Sequence, residues 1–166
     1  MEYINELVSR YQNKGLLIDT NLLLLYFIGN YDPNRIPGFK RTMAFTVDEF
    51  WLLIGFLGVF DKLMTTPNVL TEVSNLSGQL PANLRAPFHS DFANRIALLE
   101  EHYVPSVGAS SLAHFNKFGL TDSGIVQLVK DKFLVLTDDL KLAGYLQNRG
   151  IDVINFNHIR SFAWDM

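Results

Sequence analysis

The chain's most constraining feature is a set of short apolar runs separated by stretches with helical periodicity. Leu16-Leu17-Ile18 and the segments 62–65, 133–136 and 151–154 are each three or four residues long. That is too short for helices and suits strands. Segment 133–136 is apolar on both faces, as in a strand buried on both sides. Helices alternating with such strands imply a mainly parallel sheet covered on both faces. The expected fold is therefore α/β, in a single domain spanning residues 1–166.

Ile4, Leu7, Val8 and Tyr11 recur at helical spacing and predict a helix that Gly15 ends. A second helix follows Asp19-Thr20-Asn21 and runs to about residue 28, before a Pro- and Asn-containing loop over 29–38. Thr46-Val47-Asp48-Glu49 has the form of a capping box opening an apolar helix over 47–60. Thr66-Pro67 suits the cap and first position of a helix reaching about residue 76. A loop over 77–87 precedes a helix at 88–101, with Phe88, Phe92, Ile96 and Leu99 on one side. Segment 104–107 reads as extended and 110–117 as a short helix. Gly119 then breaks the chain, and Leu120-Thr121-Asp122 opens a helix to about residue 130. A last helix follows Asp138/Asp139 to residue 148, and Gly150 terminates it.

The chain contains no cysteine, which excludes disulfides, thiolate zinc sites and cysteine nucleophiles and fits a reducing cytoplasm. Its start lacks the basic and apolar regions of a signal peptide. The apolar runs at 22–28 and 50–60 are seven and eleven residues long. Spanning a bilayer takes about 20, so no membrane association is expected. The run at 47–60 is apolar nearly all round, which suits core burial or a face shared in a homodimer or with a protein partner. A net charge of −3 does not advertise nucleic-acid binding. Carboxylates that collect cations would nonetheless give such a balance, because bound cations reverse the local field.

Acidic residues stand where such a fold binds ligands. Asp19 and the Asp138/Asp139 pair directly follow apolar strands, at the edge where open α/β sheets take their ligands. Asp122 opens the helix feeding the strand at 133–136, and Glu72 lies about one and a half turns into the helix after the strand at 62–65. Carboxylates gathered in one place repel each other unless cations neutralise them. Oxygen donors with no cysteine and no histidine pair suit Mg²⁺ or Mn²⁺ rather than zinc.

These segments resemble the PIN-domain nuclease family. Leu16-Leu17-Ile18-Asp19-Thr20-Asn21 resembles the opening strand with its first acid. Thr66-Pro67-Asn68-Val69-Leu70-Thr71-Glu72-Val73 resembles the second acidic segment. Leu120-Thr121-Asp122-Ser123 resembles the third, and Leu134-Val135-Leu136-Thr137-Asp138-Asp139-Leu140 the fourth. The four occur in family order across residues 16–154. The resemblance implies a three-layer α/β/α sandwich and a Mg²⁺- or Mn²⁺-dependent endoribonuclease acting on RNA. Asp19, Glu72, Asp122 and Asp139 or Asp138 would be its catalytic metal ligands. Thr20, Asn21, Ser123 and Thr137 would support them. Many small relatives are toxins paired with an antitoxin protein. This chain departs from them in the helix over 1–14 before the first strand and in a helical insertion at about 77–119.

Each acid also has an ordinary explanation. Asp19 can cap a helix, and Asp122, Asp138 and Asp139 sit in first turns, where the helix dipole favours acids. The capping box accounts for Glu49, and Asp48 is set aside with it. Asp61, Asp91, Glu100, Glu101, Asp131 and Asp152 read as solvated charges, and His89, His102, His114 and His158 have no ligand spacing. Arg35, Lys40 and Arg41, with Lys117, Lys130, Lys132 and Lys141, are candidates to hold an RNA backbone. A non-catalytic PIN-fold module binding RNA or protein is the main rival. A receiver- or phosphatase-like aspartyl chemistry at Asp19 fits less well.

Overall fold

The computed structural model describes residues 2–130 and 132–164, so the expectation for Asp131 lies outside the described residues. The chain forms α1 (Glu2–Tyr11), β1 (Leu16–Ile18), α2 (Thr20–Tyr31), a 3-10 turn (Pro33–Arg35), α3 (Val47–Leu57), β2 (Leu63–Thr65) and α4 (Pro67–Ser77). It continues with α5 (Ala82–Ile96), β3 (Glu100–Glu101), α6 (Ser106–Ser110), α7 (Phe115–Val129), β4 (Leu134–Thr137), α8 (Leu140–Asn148), β5 (Val153–Asn155) and α9 (Phe156–Trp164).

The five strands of the sheet run in the order β3-β2-β1-β4-β5, and every neighbouring pair is parallel. β1 lies at the centre, with Leu16 opposite both Leu63 and Leu134. All residues of β1 and β4 are buried, so helices cover the sheet on both faces. α/β architecture is therefore as expected, and the covered sheet is consistent with three layers.

α2 explains much of the core. Residues 22–28 are all buried, so this helix has no solvated stripe. It packs against α3, α4 and α5. It also runs on through Gly29, where a loop was expected. The Phe50 ring occupies the space a side chain would take there: a Cβ on Gly29 would lie 2.3 Å from Phe50 Cδ2. Glycine here serves close helix packing rather than a turn.

The capping box at α3 forms as expected. Thr46 Oγ1 accepts from the Glu49 backbone and Glu49 Oε2 accepts from the Thr46 backbone. α3 ends at Leu57 instead of residue 60, capped by Gly58. Phe50, Leu53 and Leu57 are buried in the core, while Trp51, Met43 and Val59 remain exposed.

The middle of the chain departs most from expectation. α5 starts at Ala82 rather than 88, and Pro87 lies inside it. The missing proline N–H forfeits one bond in the second turn without ending the helix. α5 stops at Ile96, and Glu100–Glu101 forms an edge strand instead of the helix end. This strand joins the sheet through backbone bonds, with both side chains exposed. The segment 77–119 thus carries a strand as well as helices. Residues 104–107 were expected to be extended, but α6 begins at Ser106. α7 begins at Phe115, and the expected break falls at Gly119, whose φ of 73° and ψ of −168° interrupt the helix. α9 was not anticipated. Asp152 is no solvated charge: it accepts from Arg10 Nη1 and Tyr11 Oη, each at 2.9 Å, and ties α1 to the start of β5.

Candidate active site at the strand ends

The chain passes from β1 outward to β2 and β3, then returns to place β4 and β5 on the other side of β1. The strand order therefore reverses between β1 and β4. In such sheets, ligands bind in the crevice outside the strand C-termini at this point. Asp19 follows β1 and Asp138 follows β4, so the topology puts both at the switch point.

Asp19 is 5% exposed. It caps α2 by accepting from the Leu22 N–H at 3.1 Å, and its other oxygen accepts from the Thr137 hydroxyl and the Asp138 N–H. Thr20 donates to Glu72 Oε2 at 3.2 Å, joining α2 to α4. Asn21 donates to Asp138 Oδ1 at 3.2 Å, joining α2 to the end of β4. Thr137 is fully buried and also accepts from the Asp139 N–H at 2.9 Å. Asp139 caps α8 through the N–H groups of Lys141 and Leu142.

One cavity of about 180 Å³ is lined by Asp19, Thr20, Asn21, Glu72, Asp122 and Asp139, with Leu142. Four carboxylates from four separate elements thus face the same small space. Asp138 does not line it, but packs beside Asp19 and Asn21. Ser123 is fully buried behind Asp122. Geometry thereby separates the two adjacent aspartates: Asp139 faces the cavity, and Asp138 props its wall.

The electrostatics carry the mark of this crowding. Burial, and then the neighbouring Asp138 charge, push the Asp19 carboxyl above its ordinary range despite the bonds from Thr137 and Leu22. Asp122 is pushed up to about 6, first by burial and then by Asp139 and Glu72. Burial likewise raises Asp138, with the Asn21 bond opposing it. Among the described residues, no Lys, Arg or His forms a salt bridge with any of these five acids.

The donor set suits a hard divalent cation, because it offers carboxylates and hydroxyls and no sulfur. Among the described residues, however, no three His, Asp or Glu side chains are already gathered closely enough to hold one ion. Asp19 is buried and fixed by its hydrogen bonds, whereas Glu72 and Asp139 are exposed, each with one carboxylate oxygen held, by Thr20 and by the Lys141 and Leu142 N–H groups. Three buried polar atoms have no hydrogen-bond partner near this end of the sheet: Thr65 Oγ1, Ser123 Oγ and Asn155 Nδ2. Thr65 and Asn155 close their strands, and Ser123 adjoins Asp122.

Several contributors escaped the sequence reading. Asn157 in α9 donates to the Asp138 carbonyl at 2.8 Å. Arg160 joins Asn157 Oδ1 at 3.0 Å to Glu49 Oε1 at 2.6 Å, so Glu49 has a second role beyond the capping box. Of the basic candidates, Arg35 is paired with Asp32 and Lys117 lies over the Phe118 ring. His114 is buried, with its Nδ1 against the Tyr145 hydroxyl at 2.5 Å.

No family model matches the sequence, and no curated protein matches it. No helix of the described residues is long and apolar enough to cross a membrane.

Proposed function

We propose that this chain is a PIN-type, divalent-metal-dependent endoribonuclease that hydrolyses RNA phosphodiester bonds. The observation supporting it is the convergence of Asp19, Glu72, Asp122 and Asp139 on one cavity at the sheet's switch point, without a cationic partner among the described residues. These four residues would hold Mg²⁺ or Mn²⁺, with Asp138 supporting. Such an ion supplies an activated water and charge stabilisation for the phosphoryl group.

The chain's own residues divide the remaining work. Asp19 is the fixed anchor, held by Thr137, the Leu22 N–H and the Asp138 N–H. Glu72 is steered by the Thr20 hydroxyl. Asp122 is pushed up to about 6 by burial and by the Asp139 and Glu72 charges, and a bound cation would offset that repulsion and hold it as a carboxylate.

The test is cleavage of single-stranded RNA with Mg²⁺, Mn²⁺ or a chelator. Asp19→Asn and Asp122→Asn should each lower metal-dependent cleavage by at least about a hundredfold. Intact cleavage in both variants removes the proposal. The rival reading, a non-catalytic RNA- or protein-binding module, takes support from the absence of three gathered ligands among the described residues. Calorimetry showing no Mg²⁺ or Mn²⁺ uptake would favour it. A toxin role with an antitoxin protein is a narrower form of the proposal, resting on resemblance. Of the apolar helix expected to offer an interface, Phe50, Leu53 and Leu57 are buried and Trp51 is exposed, and light scattering reads whether a homodimer forms.

A further inference from the structure

A second cavity, of about 420 Å³, opens directly beside the acidic one. Glu72 and Asp122 line both, so the two spaces share a wall. α4 supplies one side through Asn68, Thr71, Glu72 and Asn75, spaced three or four residues apart on a single helix face. α7 supplies the other side around its break, including the Phe118 ring and Gly119. The volume falls within the roughly 300–1,000 Å³ typical of small-ligand sites.

The α4 face is unusual for a helix. Asparagine is a poor helix former, because its side chain competes with the backbone for hydrogen bonds. Charged residues normally cover such a face, yet Glu72 is the only charge on it. Among the described residues, the side chains of Asn68, Thr71 and Asn75 bond to no protein group. Each carboxamide offers a donor and an acceptor side by side. That matches the donor and acceptor pairs of a nucleobase edge, and it brings no positive charge to a phosphate.

The α7 side supplies the other half of a base site. Gly119 turns the helix with φ 73°, and a Cβ there would meet nothing within 4 Å, so the wall stands open. The break leaves Leu120 36% exposed beside the Phe118 ring. Apolar and aromatic walls of this kind hold unstacked bases of single strands. No lysine or arginine lines the cavity itself, and the nearest cation noted at its wall is Lys117, whose Nζ lies 4.8 Å from the centroid of the Phe118 ring.

We propose that this groove between α4 and α7 receives one unpaired nucleobase of single-stranded RNA, next to the scissile phosphate, and that Asn68 and Asn75 select the base. The inference rests on the ribonuclease reading above and names its substrate subsite.

The experiment uses the full chain with Mn²⁺ and an RNA pool randomised around the cut. The expected result is a preference for one base at one position beside the cut. The Asn68→Ala/Asn75→Ala variant should reduce that preference about tenfold, the scale of one well-made bidentate base contact. It should keep the Mn²⁺-dependent rise in melting temperature, since neither asparagine lines the acidic cavity and alanine favours the helix. An unchanged preference in the variant, or none in the parent protein, overturns the proposal. Binding of four short single-stranded oligonucleotides, differing at one base, is measured in parallel on Asp19→Asn. Base-dependent binding that the asparagine changes abolish, with no cleavage by the parent protein, keeps the groove and removes the ribonuclease reading. Equal binding of all four oligonucleotides removes the groove.

Discussion

Thr137, the last residue of β4, donates its hydroxyl to the carboxylate of Asp19, the residue that follows β1. One side-chain bond therefore closes the two strands that flank the switch point. Thr137 also accepts from the Asp139 N–H, so it orients both ends of the acidic wall. Thr137→Val keeps the shape and removes the hydroxyl. It should cost about 1–3 kcal/mol in urea unfolding, the usual penalty for a buried partner left unsatisfied. RNA cleavage should fall at least tenfold, and Thr137→Ser should restore most of it. Equal activity in the valine variant would show that Asp19 needs no such support.

The raised acids set a pH dependence of stability with a definite sign. Asp122 has an ordinary value of 3.8 and is pushed up to about 6 when folded. The folded chain therefore binds its proton more tightly than the unfolded chain. Asp122's contribution is most favourable below pH 4, declines between about 4 and 6, and levels off above that. At about 1.4 kcal/mol per unit, the loss is at most about 3 kcal/mol, and solvent access at this part-exposed residue reduces it. Asp19 and Asp138 act in the same direction. Urea titrations of the metal-free protein and Asp122→Asn at pH 4 and pH 7 isolate the effect. The variant should lose less stability over that interval, and Mn²⁺ should flatten the decline in the parent protein.

Gly29 is a packing position. Gly29→Ala would place a methyl 2.3 Å from Phe50 Cδ2 and force α2 from α3 or the ring from its place. The expected loss is about 1–3 kcal/mol or somewhat more. Adding Phe50→Leu should recover part of it, because the smaller side chain yields the space. Thermal unfolding of the single and double variants reads this coupling directly.

Arg160 holds α9 to α3 through Glu49, which is 5% exposed. Arg160→Ala leaves that carboxylate buried with only its capping bond. Breaking a buried pair typically costs about 3–5 kcal/mol, and the partial exposure of Arg160 lowers the expectation to about 2 kcal/mol. Arg160→Ala/Glu49→Gln should be more stable than Arg160→Ala alone. The reverse order in a denaturant series would mean that the pair contributes little.

The legible parts of this fold were those written in local chemistry. Asp19, Thr46 and Thr66 each precede a helix with the side chain that caps it, and each cap forms. Buried strands such as β1 and β4 stand out because both faces are apolar. β3 was hidden because Glu100–Glu101 pairs through its backbone and keeps both side chains in water. Pro87 concealed the start of α5, since a proline in a second turn looks like a boundary. Gly29 looked like a stop because glycine's use as a spacer depends on Phe50, 21 positions away. At the site, strand ends pointed to Asp19 and the Asp138/Asp139 pair without choosing within it, and the Arg160–Glu49 bond that braces α9 spans 111 positions and leaves no local mark. The Asn68–Asn75 face escaped the sequence reading, because it acquires meaning only when α7 closes the groove opposite.

The edge strand has one further consequence. An exposed sheet margin is a template on which another chain can add a strand. Here that margin is two residues long and bears two carboxylates, with Lys62 and His102 drawn to Glu100. An incoming strand would find little backbone to grip and would need to bring its own charge. β3 thus ends the sheet with a short, doubly charged margin, a form that disfavours edge-to-edge association.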